Sequence, residues 1–381
     1  MKEEFSKRIN KIRKHMSDNN VDACMISTTV NMLYAYGQVV IGYFYVPVEG
    51  EPILFTKKAV NKEGISIRKP EQIPGLLSDM NIPLPNTMYV EGDVMGHSYW
   101  LRLQKCFPDT KFIEASAVLR TIRSVKTDCE ISLIKQSARL QAEVYKSIPD
   151  LFKPGMTDDE LSHEIEYAFR KKGHLGVHRT FGQLEIFMGS LLVGDNAGIA
   201  SPYDFALGGA GDSDTIPIGA NGTKIEKGNT VMVDYNGNAT GYMNDCTRTF
   251  SYGTLPQKAY DAHKLSIDIL QLFESYPAGN VCEDFYLKTL EIVEKAGLSD
   301  CFMGSVRQAP FVGHGVGLEV NEFPVLAKRF KTILEPNMVV AVEPKFIIEG
   351  VGAVGAEDTF IIGETNNVAT VDLNRQIIKL D

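Results

Sequence analysis

The chain has 381 residues, of which 44% are apolar and 23% charged, and its formal net charge is −9 at neutral pH. That length is enough for two domains with a sizeable core, and the composition is ordinary for a globular protein. The acidic balance argues against nucleic acid as a partner, and the most apolar stretch, residues 39–48, is too short to cross a bilayer, so no membrane role is expected.

The charged N-terminus reads as an amphipathic helix over residues 3–20, with Phe5, Ile9, Ile12 and Met16 near helical spacing. It has no secretory apolar core, and no targeting signal is visible. Residues 22–27 read as a buried strand, 34–48 and 52–56 as strand-turn-strand, and 88–91 as another strand. Strands alternating with helices imply an α/β layer with its own core. His97 and Trp100 stand alone here and read as packing or surface residues. The six cysteines (Cys24, Cys106, Cys129, Cys246, Cys282 and Cys301) are scattered without a CxxC pair. They read as reduced thiols of a cytoplasmic protein.

A boundary is expected at residues 120–126, followed by a long helix over 128–148 that Pro149 kinks or ends. A capping box from Thr157 to Glu160 opens a helix reaching Lys172, with His163 on an ordinary face. Strand-like runs follow at 184–188 and 191–193. Residues 154–173 and 277–297 resemble each other: each has a Pro/Gly break, then a helix, a lysine and a glycine. A duplicated half-domain explains this, and so does chance likeness between two amphipathic helices. Residues 206–222 form a Gly-rich loop without the G-K-[ST] ending of a phosphate cradle, so a surface loop or lid is expected. Residues 255–276 read as a helix in which His263 is structural or exposed.

The chemistry concentrates in two hairpins and the segment between them. Asp234 and Asp245 fall on the two arms of a hairpin over residues 231–250. Acidic side chains among apolar strand residues are costly unless a cation holds them. Glu343 and Glu357 flank a turn near Gly350 on a second hairpin, and His314 lies between two glycines in GHGVGLE. Two Asp, two Glu and one His form a hard-oxygen donor set with a single nitrogen. That set suits Mn²⁺, Fe²⁺, Co²⁺ or Zn²⁺, as a pair of ions bridged by carboxylates.

In order, the motifs VDYNG, NDCTRTF, GHGVGLE, AVEP and AEDT resemble the pita-bread metallopeptidase family, which includes methionine aminopeptidase, aminopeptidase P, prolidase and creatinase. The resemblance implies an α+β protein: a creatinase/prolidase-like N-terminal domain over residues 1–125 and a pita-bread catalytic domain over 126–381. In the latter, helices cover a curved antiparallel sheet. It implies that Asp234 chelates one metal, that Asp245 and Glu357 bridge two, and that His314 and Glu343 complete the second ion's shell. Glu343 would also move the proton of the attacking water, and Thr247 would hydrogen-bond a ligand carboxylate. The implied activity is cleavage of X-Pro bonds, as dipeptidase or aminopeptidase, in small peptides or peptide-like substrates. A cytoplasmic homodimer is implied as well.

The chain also departs from the family pattern. Where peptidase members carry histidines it has Asn321 (NEFP) and Pro310, and Ile218 at the upstream Pro-His-Gly histidine, for which Tyr203 is another candidate. The prolidase arginine two residues before the last ligand is Gly355, and the glycine after Glu-Pro is Lys345. Asn321 keeps the capacity to donate a hydrogen bond to a substrate carbonyl. These changes keep open a non-peptidase metal-dependent hydrolase or lyase on the same scaffold. A pure binding module is disfavoured because all five ligands remain. Lys345, His178 and Arg179 together would supply a contact for a substrate carboxylate. The competing reading has Lys345 facing solvent and His178 and Arg179 capping an element end.

Overall fold

The computed structural model describes residues 2–57, 64–182, 188–203 and 205–381. Most of the strand run expected at 184–188 lies outside these residues. The chain divides into two compact units, Met1–Arg123 and Ser124–Asp381.

In the first unit, helix α1 (Lys2–Asp18) buries Ile12 and Met16, and β1 (Ala23–Ile26) is buried along its whole length. Helix α2 (Thr29–Ala35) follows where an extended run was expected to begin at Tyr34. Two local features turn the chain there. The Thr28 side chain accepts from the Asn31 N–H, and the buried Glu91 carboxylate accepts the backbone N–H groups of Ser27 and Thr28 at 2.6 and 2.9 Å. Next come β2 (Gly42–Pro47), β3 (Ile53–Thr56), β4 (Ile65–Ser66), α3 (Ile73–Asp79), β5 (Thr87–Val90), α4 (His97–Cys106), β6 (Lys111–Glu114) and α5 (Ser116–Ser124). The strands form one mixed sheet in the order β4-β3-β2-β1-β5-β6. Trp100 packs edge-on against Phe112, and His97 is exposed at the start of α4.

The second unit opens with α6 (Asp128–Leu151), begun by a Thr127/Glu130 capping box and continuing two residues past Pro149. Helix α7 (Asp158–Lys171) starts from the expected Thr157/Glu160 box. Strands β7 (Gly189–Val193), β8 (Thr230–Tyr235) and β9 (Thr247–Ser251) precede α8 (Gln257–Glu274) and α9 (Cys282–Lys295). Then follow β10 (Phe311–Gly315), β11 (Glu322–Ala327), β12 (Val339–Val342), β13 (Lys345–Ile348), β14 (Gly352–Gly355), β15 (Asp358–Ile361), β16 (Val368–Ala369) and β17 (Ile378–Lys379). They make a sheet β11-β10-β12-β15-β16, a second sheet β17-β9-β8-β7 and the hairpin β13-β14. Helices α8 and α9 bury Phe273 and Phe285 beside Phe360 of β15.

The two similar segments occupy similar places. The residue before each helix, Thr157 or Val281, makes an antiparallel bridge to a residue six positions ahead of a central strand: Lys224 before β8, and Ile333 before β12. Each half therefore feeds one acidic hairpin into the same region. In the Gly-rich segment residues 212–216 are exposed, as in a surface loop, but its two ends are built into the unit. Residues 206–209 are buried, Leu207 packs with Leu192, Met232 and Ile347, and the Asn196 amide holds both Gly219 O and Ala210 N–H.

Arg248 on β9 locks the second unit from behind. Its guanidinium is fully buried and donates to the carbonyls of Thr247, Glu357 and Leu373 and to Asp358 Oδ1 at 2.7 Å. This joins β9 to β15 across two sheets. Removing one partner of a buried ion pair leaves a charge and its acceptors stranded. Arg248→Met is expected to lower unfolding free energy by about 3–5 kcal/mol in urea titrations. His263 on α8 is buried, donates from Nε2 to Arg375 O, and is depressed to about 4, chiefly by burial. The unfolded chain takes up this proton first as pH falls. The contribution is intact above pH ~6.5 and is lost between there and about pH 4. His263→Gln should flatten that part of the stability-pH curve by about 3 kcal/mol, read by urea unfolding at both ends of the window.

Candidate metal centre

Asp234 ends the apolar run of β8, where it pairs in register with Thr247 and Ser190. Asp245 lies two residues before β9, in the segment returning from the hairpin turn. Helix α6 fixes this segment from one side. The Tyr145 hydroxyl accepts from Tyr235 N–H at 3.0 Å and donates to Cys246 O at 2.6 Å, while the Gln141 amide donates to Tyr235 O and accepts from Asn244. On the other side, the Thr359 hydroxyl accepts from Asp245 N–H at 3.1 Å and donates to its carbonyl at 2.8 Å. Glu343 and Glu357 sit where the chain leaves one sheet for the β13-β14 hairpin and returns from it. Val342 and Asp358, their neighbours, are cross-strand partners. His314 projects from β10, which lies beside β12.

These placements bring the five predicted donors together. One group is Asp245, His314 and Glu357, and a second is Asp234, Glu343 and Glu357. Within each, one donor atom per residue lies within 4.8 Å of the others. His314 Nδ1 rests 3.2 Å from Gly315 O, which turns Nε2 toward Glu343 Oε1 at 3.4 Å and Asp245 Oδ2 at 3.8 Å. Thr247 Oγ1 donates to Glu357 Oε2 at 2.6 Å.

Lys345 corrects both sequence-based alternatives. It does not face solvent and is not free to grip a substrate carboxylate. Only 1% of the side chain is exposed, and Nζ lies 2.8 Å from Asp234 Oδ2, 2.7 Å from Glu343 Oε2 and 3.3 Å from Glu357 Oε2. A lysine opening an otherwise apolar, buried strand was the signal in the sequence that it needed an internal partner. His178 is likewise unsuited to binding an anion. Burial, then the positive fields of His174 and His314, depress it to about 3, so it is neutral, and Nδ1 contacts the Asn236 amide. Arg179 is half-buried, with Nη1 on Gly241 O. The Asn321 amide is already engaged, accepting from Phe181 N–H at 2.7 Å and approaching Phe181 O with its nitrogen, instead of offering that nitrogen to a substrate. Ile218 is buried and Pro310 exposed. Tyr203, Phe205, Pro310 and Phe311 line a pocket of about 30 Å³ that opens to solvent. The Phe311 ring lies 6.2 Å from that of His314.

The electrostatics show what the cluster demands. Burial, with Asp234 adding to it, pushes Asp245 up to about 7. Burial and Asp245 push Glu357 well above the carboxylate range. Burial would also raise Glu343, but Lys345 and His314 outweigh it and bring that group down to about 2. Burial disfavours a charged His314, yet Glu343, Asp245 and Glu357 lift it to about 10. Burial likewise opposes the Lys345 charge, and Asp234, Glu343 and Glu357 overcome it. With all four carboxylates ionised and His314 neutral, as cation ligands are, the cluster carries more negative charge than one ammonium balances. Glu357 Oε1 is buried and has no hydrogen-bond partner among the described residues. Hard oxygens, one imidazole and an orphaned buried carboxylate oxygen fit a divalent cation at Asp245, His314 and Glu357.

Lys345→Met removes the cation from three buried carboxylates. The metal-free protein is expected to lose about 3–5 kcal/mol of stability, measured by urea unfolding in the presence of a chelator.

Known proteins resemble the chain along nearly its whole length. The profile of metallopeptidase family M24 matches residues 132–364, and that of the creatinase/prolidase N-terminal domain matches residues 8–125. The Xaa-Pro dipeptidase of Pyrococcus furiosus is 23% identical over 385 residues, covering 98% of this chain and all of that one. Among solved structures, the Xaa-Pro dipeptidase of Bacillus anthracis superposes with a TM-score of 0.81 at 23% identity, over 98% of this chain and 99% of its own. The X-Pro aminopeptidase of Thermotoga maritima gives 0.80 at 22%, over 97% and 99%. The α+β, two-domain pita-bread architecture follows from these matches. With the first profile spanning more than half of its length, the chain belongs to metallopeptidase family M24 and carries a creatinase/prolidase N-terminal domain.

Proposed function

We propose that this metallopeptidase cleaves X-Pro bonds in small peptides, as a dipeptidase or aminopeptidase, with Asp245, His314, Glu357 and Glu343 holding a divalent cation. The convergence of these donors carries the reading. It is supported by full-length relatives named Xaa-Pro dipeptidase. Mn²⁺, Co²⁺, Zn²⁺ and Fe²⁺ all suit the donor set. When bound, the cation supplies Lewis acidity, which makes water a competent nucleophile near neutral pH and polarises the scissile carbonyl.

The chain's own groups do the rest. Lys345 occupies Glu343 Oε2, leaving Oε1, beside His314, to receive the proton of the attacking water and pass it to the leaving nitrogen. Thr247 holds Glu357 from behind and so fixes the direction of its free oxygen. Tyr203, Phe205 and Phe311 offer aromatic faces near His314 against which a pyrrolidine ring would pack. No helix among the described residues is long and apolar enough to cross a membrane. The proposal includes a cytoplasmic homodimer, which cell fractionation and light scattering of the purified protein would check.

A second reading, a non-peptidase metal-dependent hydrolase or lyase, draws on a specific observation. The Asn321 amide is held by the Phe181 backbone, and Ile218, Pro310 and Gly355 offer no polar side chain. The groups expected to grip a peptide are therefore missing. A screen of metal-loaded protein on X-Pro dipeptides, longer X-Pro peptides and Met-peptides separates the two. The expected result is turnover confined to X-Pro substrates, with Glu343→Gln lowering kcat by about 10²–10⁴-fold. Metal-loaded protein that is inert on every X-Pro substrate would favour the second reading.

A further inference from the structure

The Asp234, Glu343 and Glu357 oxygens already share a cation. Lys345 Nζ is 2.8, 2.7 and 3.3 Å from one oxygen of each. A divalent ion bound by the same oxygens would sit about 2.0–2.2 Å from each, in the space of the ammonium group. Lys345 is also poorly placed to leave. Its backbone carbonyl accepts from Met303 N–H at 2.8 Å, and it pairs in register with Gly355. Its ammonium and the Glu343 carboxylate meet across the Pro344 bend between β12 and β13.

The neighbouring strand is shaped to admit it. Gly355 has φ +150°, and a Cβ there would meet Pro344 O at 2.6 Å and Lys345 Cγ at 3.4 Å. No side chain from that position can enter the space the lysine stem uses. The other donor group differs. Asp245 and His314 receive no lysine or arginine ion pair among the described residues, and Glu357 meets Lys345 through Oε2 alone, its Oε1 being buried without a partner. Charge agrees with geometry. One divalent ion and the Lys345 ammonium leave a single negative charge on the four carboxylates. Two divalent ions beside the ammonium would make a buried site net positive.

We propose that the Lys345 ammonium stands in for one of the two cations expected from the sequence. The centre then takes a single divalent ion, at Asp245, His314 and Glu357 with Glu343 in reach. The inference rests on the metallopeptidase reading of this site and replaces a bridged ion pair with an ion and a fixed ammonium.

The test counts ions. Full-length protein is stripped with chelator and dialysed to equilibrium against excess Mn²⁺. Bound metal is then measured by plasma mass spectrometry and its environment by electron paramagnetic resonance. Wild type should hold one ion per chain with the six-line signal of an isolated Mn²⁺. Lys345→Gly should hold two, with the signal of a spin-coupled pair, and its melting temperature should rise more on loading than that of wild type. Two ions in wild type would overturn the role given to the lysine while leaving the metallopeptidase reading intact. A folded Lys345→Gly that still takes one ion would do the same. No ion in wild type under any loading would overturn both. Circular dichroism checks the variant's fold, and Lys345→Ala repeats the count if glycine unsettles the strand.

Discussion

Everything in the second unit has to accommodate four carboxylates held close together, three of them buried. Asp234, Asp245, Glu343 and Glu357 repel one another, and burial disfavours charge on the last three. The fold answers with groups that cannot move away: a lysine inside the cluster, an arginine beneath it and a set of backbone clasps around it. Lys345 engages three of the carboxylates directly. Arg248 works a layer below, tying the Glu357 carbonyl to β9 and neutralising Asp358. Tyr145, Gln141 and Thr359 add no charge, but they set the backbone from which Asp245 projects. The site is thus held in shape by hydrogen bonds that do not point into it.

Much of this was legible in the sequence. A capping box announced α7, a long helical run announced α6, and apolar runs broken by acidic residues announced β8 and the strands around Glu343 and Glu357. Hard donors recurring in distinct local motifs announced the centre itself. What failed were inferences that needed a side chain's direction. Residues 34–48 look extended, and 42–47 are, but Tyr34 and Ala35 end α2, which starts after Ser27 and Thr28, whose N–H groups a distant buried carboxylate, Glu91, gathers. Asn321 looked available to a substrate, but its amide matches the backbone of Phe181, 140 positions away in sequence. Tyr145 and Gln141 carried no motif, and Arg248, inside NDCTRTF, carried no visible role, because their task is to meet backbone groups that only the folded chain assembles.

Lys345 is the instructive case. Its neighbours in sequence, a glutamate two residues before and an apolar strand after, are compatible with several directions. The decision comes from Gly355, ten residues on and opposite in register. The two departures from the family pattern, a lysine gained at one position and an arginine absent at the other, turn out to be facing residues of one hairpin.

That pairing carries an evolutionary consequence. With Pro344 O only 2.6 Å from where a Cβ would stand, a side chain at 355 is barred by this backbone, whatever stands at 345. Replacing the glycine would force the β13-β14 hairpin to shift, whereas losing the lysine would leave the acids dependent on a second cation. An arrangement with the arginine on the other strand is therefore reached only with a change of backbone, and the two positions are expected to be inherited as a unit.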